Sequence, residues 1–445
     1  MKVSVVGLGY LGITHAVTLA SLGHEVVGYD LNHERVQSLR LGQVPFHEPG
    51  LGDLFSQVRA AKLISFESEI GDWCKNIDVH FICVGTPLDE KGDSLVISEV
   101  LSSIVELVPF LDEDSLIVGR STVPVGTHIE VEDLLSSRQS QVRLAWNPEF
   151  LSEGTALNDS LFPQRIVIGV SDPKSENQLR QMYNRMLGSG VPFLVMDIAS
   201  AELTKIASNA FLALKVSYIN GLASIAEKAG ASTKVIAHAM GLDPRIGSEF
   251  LRNGIGFGGS CLPKDLRQSI ATANLYGSPL FASLLVSVAG INQERLDTAT
   301  SLVEHLAKIS GDTGITVLGA SFKSNTDDLR GSPGIALALN LQERGIKLTI
   351  HDPVSAKKVK QEYPDLDATE DLSRAVQDAE VLVFTTNWAE YTDIDPLKLR
   401  DLSKRQTVVD AVQVIDEELW REAGWSVIVL GESNHIFAKT GVVNP

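Results

Sequence analysis

Short apolar runs alternate with amphipathic stretches over the first two hundred residues. The run "KVSVV" leads into a glycine-rich turn, and the "ITHAVTLASLG" that follows has a helical pattern. Further apolar runs lie in "HEVVGYD", in residues 79–87 and in residues 115–126. Continuous apolar runs that end in small residues are typical of buried parallel strands. The pattern therefore predicts a parallel sheet whose strands alternate with helices.

The middle of the chain has the pattern of helices, and the last third returns to that of a sheet. Residues 199–229 predict one long helix, with Ser200 as its cap and Gly230 as its stop, and helices continue to about residue 308. Apolar strand patterns then recur at 314–322, 346–353 and 378–388. We expect the α/β class, with two Rossmann-like doubly wound parallel-sheet domains joined by a central helical domain that contains the long helix.

These patterns divide the chain into three predicted domains. Their boundaries are 1–198 for the first sheet, 199–308 for the helices and 309–445 for the second sheet. Two sheets joined by a long helix are expected to form a cleft, where substrates commonly bind between domains.

The first glycine-rich turn has the spacing of a dinucleotide-binding motif. Gly7, Gly9 and Gly12 follow a strand and open a helix, and Asp30 ends the next strand. In this motif the glycines bring the pyrophosphate to the helix N-terminus, and the acid accepts a hydrogen bond from the ribose 2′-hydroxyl. Asp30 would repel a 2′-phosphate, so NAD is expected rather than NADP. Arg35 nearby weakens that preference slightly.

Charge and cysteine content narrow the partners and the compartment. The chain has 445 residues and a formal net charge of −18, which argues against nucleic acid or an anionic membrane as the main partner. No apolar run is long enough to predict a transmembrane helix. Three widely spaced cysteines fit neither a disulfide framework nor a metal site, and a reducing cytoplasm is expected.

One cysteine has unusual neighbours. Cys261 lies in "GIGFGGSCLPKD", a glycine-rich turn where the nearby Lys264 can favour a thiolate. On the predicted long helix, Lys205 and Asn209 are four residues apart and so share a face. Cys74 and Cys83 have the surroundings of core residues instead.

Eight motifs in order resemble those of the UDP-glucose/GDP-mannose dehydrogenase family. They are "VVGLGYLG", "HEPGL", "CVGTP", "STVPVGT", "NPEFLSEG", "AELTKIASNAFLALK", "DPRIGSEFLRNGIGFGGSCLPKD" and "SFKSNTDDLRGSP". The resemblance covers nearly the whole chain and is nearest to the branch that acts on UDP-glucose. It implies oxidation of the sugar C6 alcohol to a carboxylate with two NAD reduced per turnover, an NAD-binding first domain, a dimerising second domain and a UDP-sugar-binding third domain.

The resemblance also implies catalytic roles. Cys261 would attack the intermediate aldehyde to give a thiohemiacetal, which oxidation converts to a thioester. Lys205 would stabilise the oxyanion, with Asn209 as a second donor, and one such donor is typically worth about 3 kcal/mol of barrier. Glu153 would be the base for thioester hydrolysis. Glu149, Thr122 and Asp265 would position water or adjust charge.

Binding roles follow from the same motifs. The expected cofactor contacts are Gly7, Gly9, Leu11, Gly12, Asp30, Arg35, Thr86, Thr122, Glu153, Lys264 and Arg330. The expected nucleotide-sugar contacts are Glu149, Phe150, Leu151, Ser152, Glu153, Lys205, Asn209, Arg245, Phe250, Leu251, Arg252, Asn253, Gly254, Gly258 and Lys323. Arg245 resembles a residue that reaches across a dimer interface, so a homodimer is expected. No metal is expected.

One departure from the family pattern leaves the substrate open. Family members often have an arginine in a D-x-R motif of the last domain, and this chain has Val412 there, in "VVDAVQVID". UDP-glucose is the expected substrate, and a UDP-N-acetyl-hexosamine or GDP-mannose is the alternative. Two rival classes are a two-electron β-hydroxyacid dehydrogenase and a non-enzymatic nucleotide-sugar-binding protein. The first would need neither Cys261 nor a second sheet, and the second predicts a broken catalytic set.

Overall fold

The computed structural model describes residues 1–310 and 314–433, and its strands form two sheets. The strands of the first sheet are β1 (Lys2–Val6), β2 (Glu25–Tyr29), β3 (Ile64–Glu67), β4 (Val79–Ile82), β5 (Leu116–Gly119), β6 (Arg143–Trp146), β7 (Ile166–Val170) and β8 (Phe193–Met196). The helices that accompany this sheet are α1 (Tyr10–Ser21), α2 (His33–Leu41), α3 (Leu51–Ala60), α4 (Ser98–Leu107), α5 (Thr127–Ser137), α6 (Ala156–Leu161), α7 (Pro173–Met182) and α8 (Asn184–Gly188).

The first sheet has the strand order β3-β2-β1-β4-β5-β6-β7-β8. Its first six strands are parallel and have the order typical of dinucleotide-binding folds. Strand β7 runs antiparallel to β6, a reversal that the sequence pattern did not predict. Leu116 and Val118 of β5 pack into one apolar cluster and Ile117 packs into another, so the sheet is buried on both faces.

Four helices dominate the middle of the chain: α9 (Ile198–Ala229), α10 (Thr233–Gly241), α11 (Leu262–Leu275) and α12 (Pro279–Ser310). The predicted cap of α9 is wrong by three residues. The Asp197 carboxylate accepts the backbone N–H of Ser200 at 2.8 Å and its hydroxyl at 2.7 Å, so Asp197 caps the helix. The predicted stop agrees with the structure, because Gly230 follows the last helical residue with a φ of +74°.

The second sheet is parallel throughout and has the order β11-β10-β9-β12-β13-β14. Its strands are β9 (Ile315–Leu318), β10 (Leu348–His351), β11 (Asp367–Thr369), β12 (Val381–Phe384), β13 (Thr407–Asp410) and β14 (Ser426–Val429). Its helices are α13 (Pro333–Glu343), α14 (Ala356–Glu362), α15 (Leu372–Val376), α16 (Ala389–Thr392), α17 (Pro396–Leu402) and α18 (Glu417–Glu422). Two Rossmann-like sheets and a long central helix confirm the predicted fold class.

The chain divides into two compact units. The first consists of Met1–Ser208 and Arg267–Gly277, and the second of Asn209–Leu266 and the described residues from Ser278 onward. The three predicted domain boundaries stay a prediction, and residues 311–313 and 434–445 of the third domain lie outside the described residues. Among the described helices, none is both long and apolar enough to cross a bilayer.

Candidate active site

The glycine turn after β1 leaves room at the start of α1. Gly7 has a φ of +91°, and a Cβ on Gly12 would collide with the Gly7 carbonyl oxygen. Among the described residues, no atom lies within 4 Å of a Cβ built on Gly9, and no side chain caps α1. Turn and helix therefore pack closely while the helix N-terminus keeps space for an anion, which fits the pyrophosphate of NAD.

Asp30 lies directly after β2 and is 8% exposed. Its carboxylate accepts the backbone N–H groups of Leu8 at 2.7 Å and Asn32 at 2.8 Å. Arg35 donates to the same carboxylate at 2.8 Å. The acid is thus fixed against the glycine turn, where a ribose would lie, and Arg35 is held by it.

The remaining predicted cofactor contacts of the first unit lie near the same strand ends. Leu11 is in the first turn of α1. Thr86 follows β4 and donates its hydroxyl to the carbonyl oxygen of Thr122, which follows β5, at 2.7 Å. This bond brings the segments after two neighbouring strands together at the carboxyl edge of the sheet, where such folds bind ligands.

A buried ion pair joins the loop after β6 to α9. Glu149 lies 2.8 Å from the Nζ of Lys205, and both side chains are buried. The second carboxylate oxygen of Glu149 accepts the backbone N–H of Leu151 at 2.7 Å. Pairing in a buried site holds the lysine in one place, with its charge compensated.

Glu153 is buried in the same loop, and a network that the sequence reasoning missed holds its neighbour. The Gly154 N–H donates to Glu48 at 2.8 Å and to the Tyr10 hydroxyl at 2.9 Å. Tyr10 itself donates to Glu48, whose other oxygen accepts the Leu157 N–H at 3.1 Å. Burial and the bond to Glu48 raise the pKa of Tyr10 well above its ordinary value. Glu48 lies in the motif "HEPGL" and Tyr10 in "VVGLGYLG", and these two motifs were the only sequence features that could have indicated the network.

In the second unit, Cys261 lies at the start of a helix. Its carbonyl oxygen accepts the Asp265 N–H at 2.8 Å, so the cysteine directly precedes the first turn of α11. The residue is exposed, and the Ser260 hydroxyl lies 3.6 Å from its sulfur. A helix N-terminus stabilises negative charge, and this position therefore favours the thiolate.

An amide, a carboxylate and an ammonium group surround the same helix start. Asn209 donates to Asp265 at 2.5 Å, and the Nζ of Lys264 lies 3.5 Å from the other Asp265 oxygen. Asp265 is fully buried. The carboxylate thus connects the thiol-bearing helix to α9 and offsets the charge of Lys264.

The other two cysteines have a different environment. Cys74 and Cys83 are buried, and burial raises the pKa of the Cys83 thiol to about 12. Cys83 lies just beyond β4, one residue outside the strand that was expected to contain it. Both thiols are protected from chemistry that needs a thiolate, whereas Cys261 is not.

The predicted substrate segment 250–254 is anchored by the chain itself. Asn253 donates to the Leu430 carbonyl at 2.8 Å and accepts from Gln413 at 2.5 Å. The Gly254 N–H donates to Asn220 at 2.8 Å. The Asn253 side chain is therefore used internally, and Asn220 and Gln413 are supporting residues that the sequence did not reveal.

The ends of this segment differ in their environment. Phe250 has a φ of +62° and is exposed, whereas Leu251 is buried. Arg252 donates to the Gln413 carbonyl oxygen. Phe250 and Arg252 are thus the exposed members of the segment, and their predicted ligand contacts stay predictions.

The thiol-bearing turn packs against the loop after β9. A Cβ on Gly258 would collide with the Gly331 carbonyl oxygen, and a Cβ on Gly259 would collide with the Phe322 ring. The same loop carries Lys323, whose Nζ lies 5.4 Å from the Phe322 ring centroid. Arg330, also on this loop, forms a bidentate pair with Asp328, with distances of 2.9 and 2.6 Å. Arg245, from the segment after α10, is exposed and pairs with Asp243 at 2.6 Å.

Each unit thus gathers part of the predicted site. The predicted residues in the first unit are Gly7, Gly9, Leu11, Gly12, Asp30, Arg35, Thr86, Thr122, Glu149, Phe150, Leu151, Ser152, Glu153 and Lys205. Those in the second are Asn209, Arg245, Phe250, Leu251, Arg252, Asn253, Gly254, Gly258, Cys261, Lys264, Asp265, Lys323 and Arg330. The first set fits a dinucleotide, and the second places a thiolate-favouring cysteine beside paired polar groups.

The dinucleotide-binding turn on the first sheet places the chain among the NAD-dependent dehydrogenases. Family models give the particular family. Residues 1–187 match the NAD binding domain, residues 199–294 the central domain and residues 316–417 the UDP binding domain of the UDP-glucose/GDP-mannose dehydrogenase family. The chain belongs to this family.

Individual relatives agree over nearly the full length. The chain is 35% identical to the UDP-glucose 6-dehydrogenase of Rhizobium meliloti (strain 1021), over 97% of this chain and 99% of the relative. It is 34% identical to UDP-glucose 6-dehydrogenase YwqF of Bacillus subtilis (strain 168), over 94% and 95%. Among solved structures, a UDP-glucose dehydrogenase from Pyrobaculum islandicum matches with a TM-score of 0.88 and 34% identity, over 97% and 98% of the two chains.

These findings confirm the predicted family, the oxidoreductase class and the NAD cofactor. The UDP binding domain supports a nucleotide sugar as substrate. Membership of this family argues against both rival classes considered from the sequence. The roles of individual residues stay predictions.

Proposed function

We propose that this protein oxidises UDP-glucose at C6 to UDP-glucuronate, with two NAD reduced and one water consumed. The relatives named UDP-glucose 6-dehydrogenase support the substrate. The observation that carries the mechanism is the exposed Cys261 at the start of α11, next to Lys264 and the Asn209–Asp265 pair. An ordinary alcohol dehydrogenase has no use for a thiol in this position.

The first oxidation removes a hydride and the hydroxyl proton from C6 and leaves an aldehyde. When bound, NAD supplies the hydride acceptor for this step and for the second oxidation. Gly7, Gly9 and Asp30 would hold the cofactor, because they combine open space at a helix N-terminus with a fixed carboxylate. Lys205, held by Glu149, would stabilise the oxygen as its proton leaves.

The thiol makes the second oxidation possible. The Cys261 thiolate adds to the aldehyde carbon, so that a C–S bond forms and the oxygen becomes negative. Lys205 and Asn209 would stabilise that oxyanion. Loss of a second hydride from the same carbon then leaves a thioester on Cys261.

Hydrolysis completes the cycle. A water molecule attacks the thioester carbon and gives a proton to Glu153, which is buried in the loop after β6. The C–S bond breaks, the thiolate of Cys261 is restored, and the product leaves as a carboxylate. Thr122, Glu149 and Asp265 would position the water and balance charge. Overall, one alcohol, one water and two NAD become one carboxylate, two NADH and three protons.

A different nucleotide sugar is the second candidate, because of the loop after β13. Val412 stands where the family often has arginine, and Asp410 accepts the backbone N–H groups of Val412 at 3.0 Å and Val414 at 2.8 Å. The aspartate thus orders this loop through its backbone N–H groups. The identity of the nucleotide base and of the sugar is therefore tested separately from the oxidation mechanism.

The proposal extends to a homodimer with three domains, 1–198, 199–308 and 309–445, in the cytoplasm. Phe211, Tyr218 and Ile225 recur every seven residues on α9 and are 61%, 53% and 63% exposed. An apolar heptad stripe of this kind is suited to a second helix of the same type. This stripe supports dimerisation through α9.

The test is the amount of NADH formed per sugar consumed. UDP-glucose, a UDP-N-acetyl-hexosamine and GDP-mannose are offered separately to the parent enzyme, to Cys261→Ser and to Cys74→Ala as a control for a buried thiol. We expect about two NADH per UDP-glucose with the parent and the control, and lost or stalled NADH formation with Cys261→Ser.

Two results would change the proposal. One NADH per sugar with the parent, or full activity of Cys261→Ser, would mean that the thiol is not the nucleophile. Activity only with another nucleotide sugar would leave the proposed mechanism intact and would mean that UDP-glucose is not the substrate.

A further inference from the structure

The reversed strand of the first sheet brings an unassigned arginine to the substrate loop. In the antiparallel pair of β6 and β7, Ala145 lies opposite Val170 and Trp146 opposite Gly169. Strand β7 begins at Ile166, so in this antiparallel pair its start lies at the edge where β6 ends, and Arg165 immediately precedes it. A parallel strand in place of β7 would have begun at the other edge of the sheet. The reversal therefore puts Arg165 at the edge where the loop with Glu149 and Glu153 begins.

The side chains of Arg165 and Phe150 meet at this edge of the sheet. The guanidinium carbon lies 4.1 Å from the centroid of the Phe150 ring. Phe150 also packs against the apolar cluster that contains Trp146 and Val167. An arginine plane on an aromatic face combines stacking with cation–π attraction, and the ring is thereby held between the guanidinium and the core.

The fixed ring bears directly on the buried ion pair. Phe150 follows Glu149, whose two carboxylate oxygens bind Lys205 at 2.8 Å and the Leu151 N–H at 2.7 Å. The Nζ of Lys205 lies 5.8 Å from the centroid of the same ring. A shift of the ring would therefore move the carboxylate that orients the lysine.

We propose that Arg165 is a positioning residue for the reaction. By stacking on Phe150 it fixes the start of the substrate loop, so that Glu149 holds Lys205 where the oxyanion develops. This inference rests on the proposed function, in which Lys205 acts at C6. It predicts that losing the stack impairs turnover more than it impairs binding of NAD.

The chain offers a matched control in the same unit. The guanidinium carbon of Arg180, on α7, lies 4.5 Å from the ring centroid of Phe193, on β8. Its other partner is Glu176. Neither partner belongs to the predicted site. Arg165→Met and Arg180→Met therefore remove the same kind of contact, and Arg165→Lys restores the charge without the plane.

Steady-state kinetics with UDP-glucose and NAD would be combined with hydrogen exchange of the protein without substrate. We expect Arg165→Met to lower kcat about tenfold, since small misplacements of catalytic groups have large effects on rate. The KM for NAD should stay within about twofold, and Arg165→Lys should recover part of the loss. Amide exchange in residues 149–155 should rise in Arg165→Met alone. Arg180→Met should match the thermal stability of Arg165→Met and keep parental kcat.

Several results would overturn the inference. These are a kcat within twofold of the parent for Arg165→Met, an equal loss for Arg180→Met, or unchanged exchange in residues 149–155. A higher KM for the nucleotide sugar at unchanged kcat would mean that Arg165 contacts the substrate itself. If the parent oxidises no nucleotide sugar, the proposed function fails, and the exchange data still decide whether Arg165 fixes the loop.

Discussion

The two sheets share a scaffold and use it differently. In the first, a Cβ on Gly12 would collide with the Gly7 carbonyl oxygen, and in the second, a Cβ on Gly334 would collide with the Gly319 carbonyl oxygen. Gly7 and Gly319 both have positive φ, of +91° and +118°. Each sheet therefore packs its first strand, turn and helix by the same close approach of backbone.

The difference lies between the paired glycines. Gly7 and Gly12 enclose a short turn, and no side chain in the described part of the protein caps α1. Gly319 and Gly334 enclose a longer loop, whose Ser332 caps α13 by accepting the Ile335 N–H at 3.3 Å. The first helix N-terminus is thus left for a ligand, whereas the second is satisfied by its own chain.

The acids after the second strand of each sheet show the same division. Asp352 is 0% exposed, compared with 8% for Asp30. The Asp352 carboxylate accepts hydrogen bonds from the indole of Trp388 and from four backbone N–H groups, those of Ala320, Ser321, Val354 and Ser355. The position that we propose for cofactor recognition in one sheet therefore organises loops in the other.

Exchanging each acid for alanine should separate these roles most strongly. Asp352→Ala leaves buried donors without an acceptor and should cost about 3–5 kcal/mol of unfolding free energy, with the KM for NAD unchanged. Asp30→Ala should cost about 1–2 kcal/mol and raise the KM for NAD at least tenfold. Urea denaturation and NAD kinetics measure both. A larger stability loss for Asp30→Ala would contradict the division of roles.

Each sheet has a buried histidine on one of its strands, and these two residues allow a second comparison, of how the stability depends on pH. Burial lowers the pKa of His80, on β4 of the first sheet, to about 4, and lowers the pKa of His351, on β10 of the second, below its usual 6.5. Both are neutral when folded and take up a proton on unfolding. Stability should therefore fall as pH drops below about 6.5, and His80 alone would account for about 3 kcal/mol by pH 4.

The substitution His80→Asn tests this directly. The amide can still meet the Ser4 hydroxyl, which lies 2.8 Å from the Nδ1 of His80, but it does not titrate in this range. Unfolding free energies measured from pH 7 to pH 4 should fall less steeply in the variant. An unchanged slope would mean that His80 is not the source of the acid sensitivity of the first sheet.

Much of the fold could be predicted from local sequence patterns. Strands such as β1 and β5 are buried on both faces and read as continuous apolar runs, so they could be predicted without any knowledge of their partners. The direction of β7 could not, because it depends on pairing with β6 rather than on its own residues. The start of α9 was misjudged because Asp197 and Ser200 are both good caps, and only the hydrogen bonds distinguish them.

The candidate site divides in the same way. Cys261 and the first glycine turn could be identified from the sequence, because the residues that indicate the chemistry of each lie within one short motif. The bonds among Tyr10, Glu48 and Gly154 join three distant parts of the chain, and no spacing rule predicts them. The sequence was thus a better guide to the candidate reactive groups than to the residues that hold them in place.

The smallest expected change in stability is also the sharpest test of the first sheet. A Cβ on Gly9 meets no atom of the described residues within 4 Å, and the φ of Gly9, −70°, suits any L-residue. Gly9→Ala should therefore change the unfolding free energy by less than about 0.5 kcal/mol. The methyl group would nevertheless occupy the space left at the start of α1. The KM for NAD should therefore rise at least tenfold while the fold is untouched. Calorimetry and NAD titration measure the two quantities on one sample. Normal NAD binding by this variant would mean that the pyrophosphate does not lie against Gly9, and the contrast between an open helix start in one sheet and a capped one in the other would lose its functional meaning.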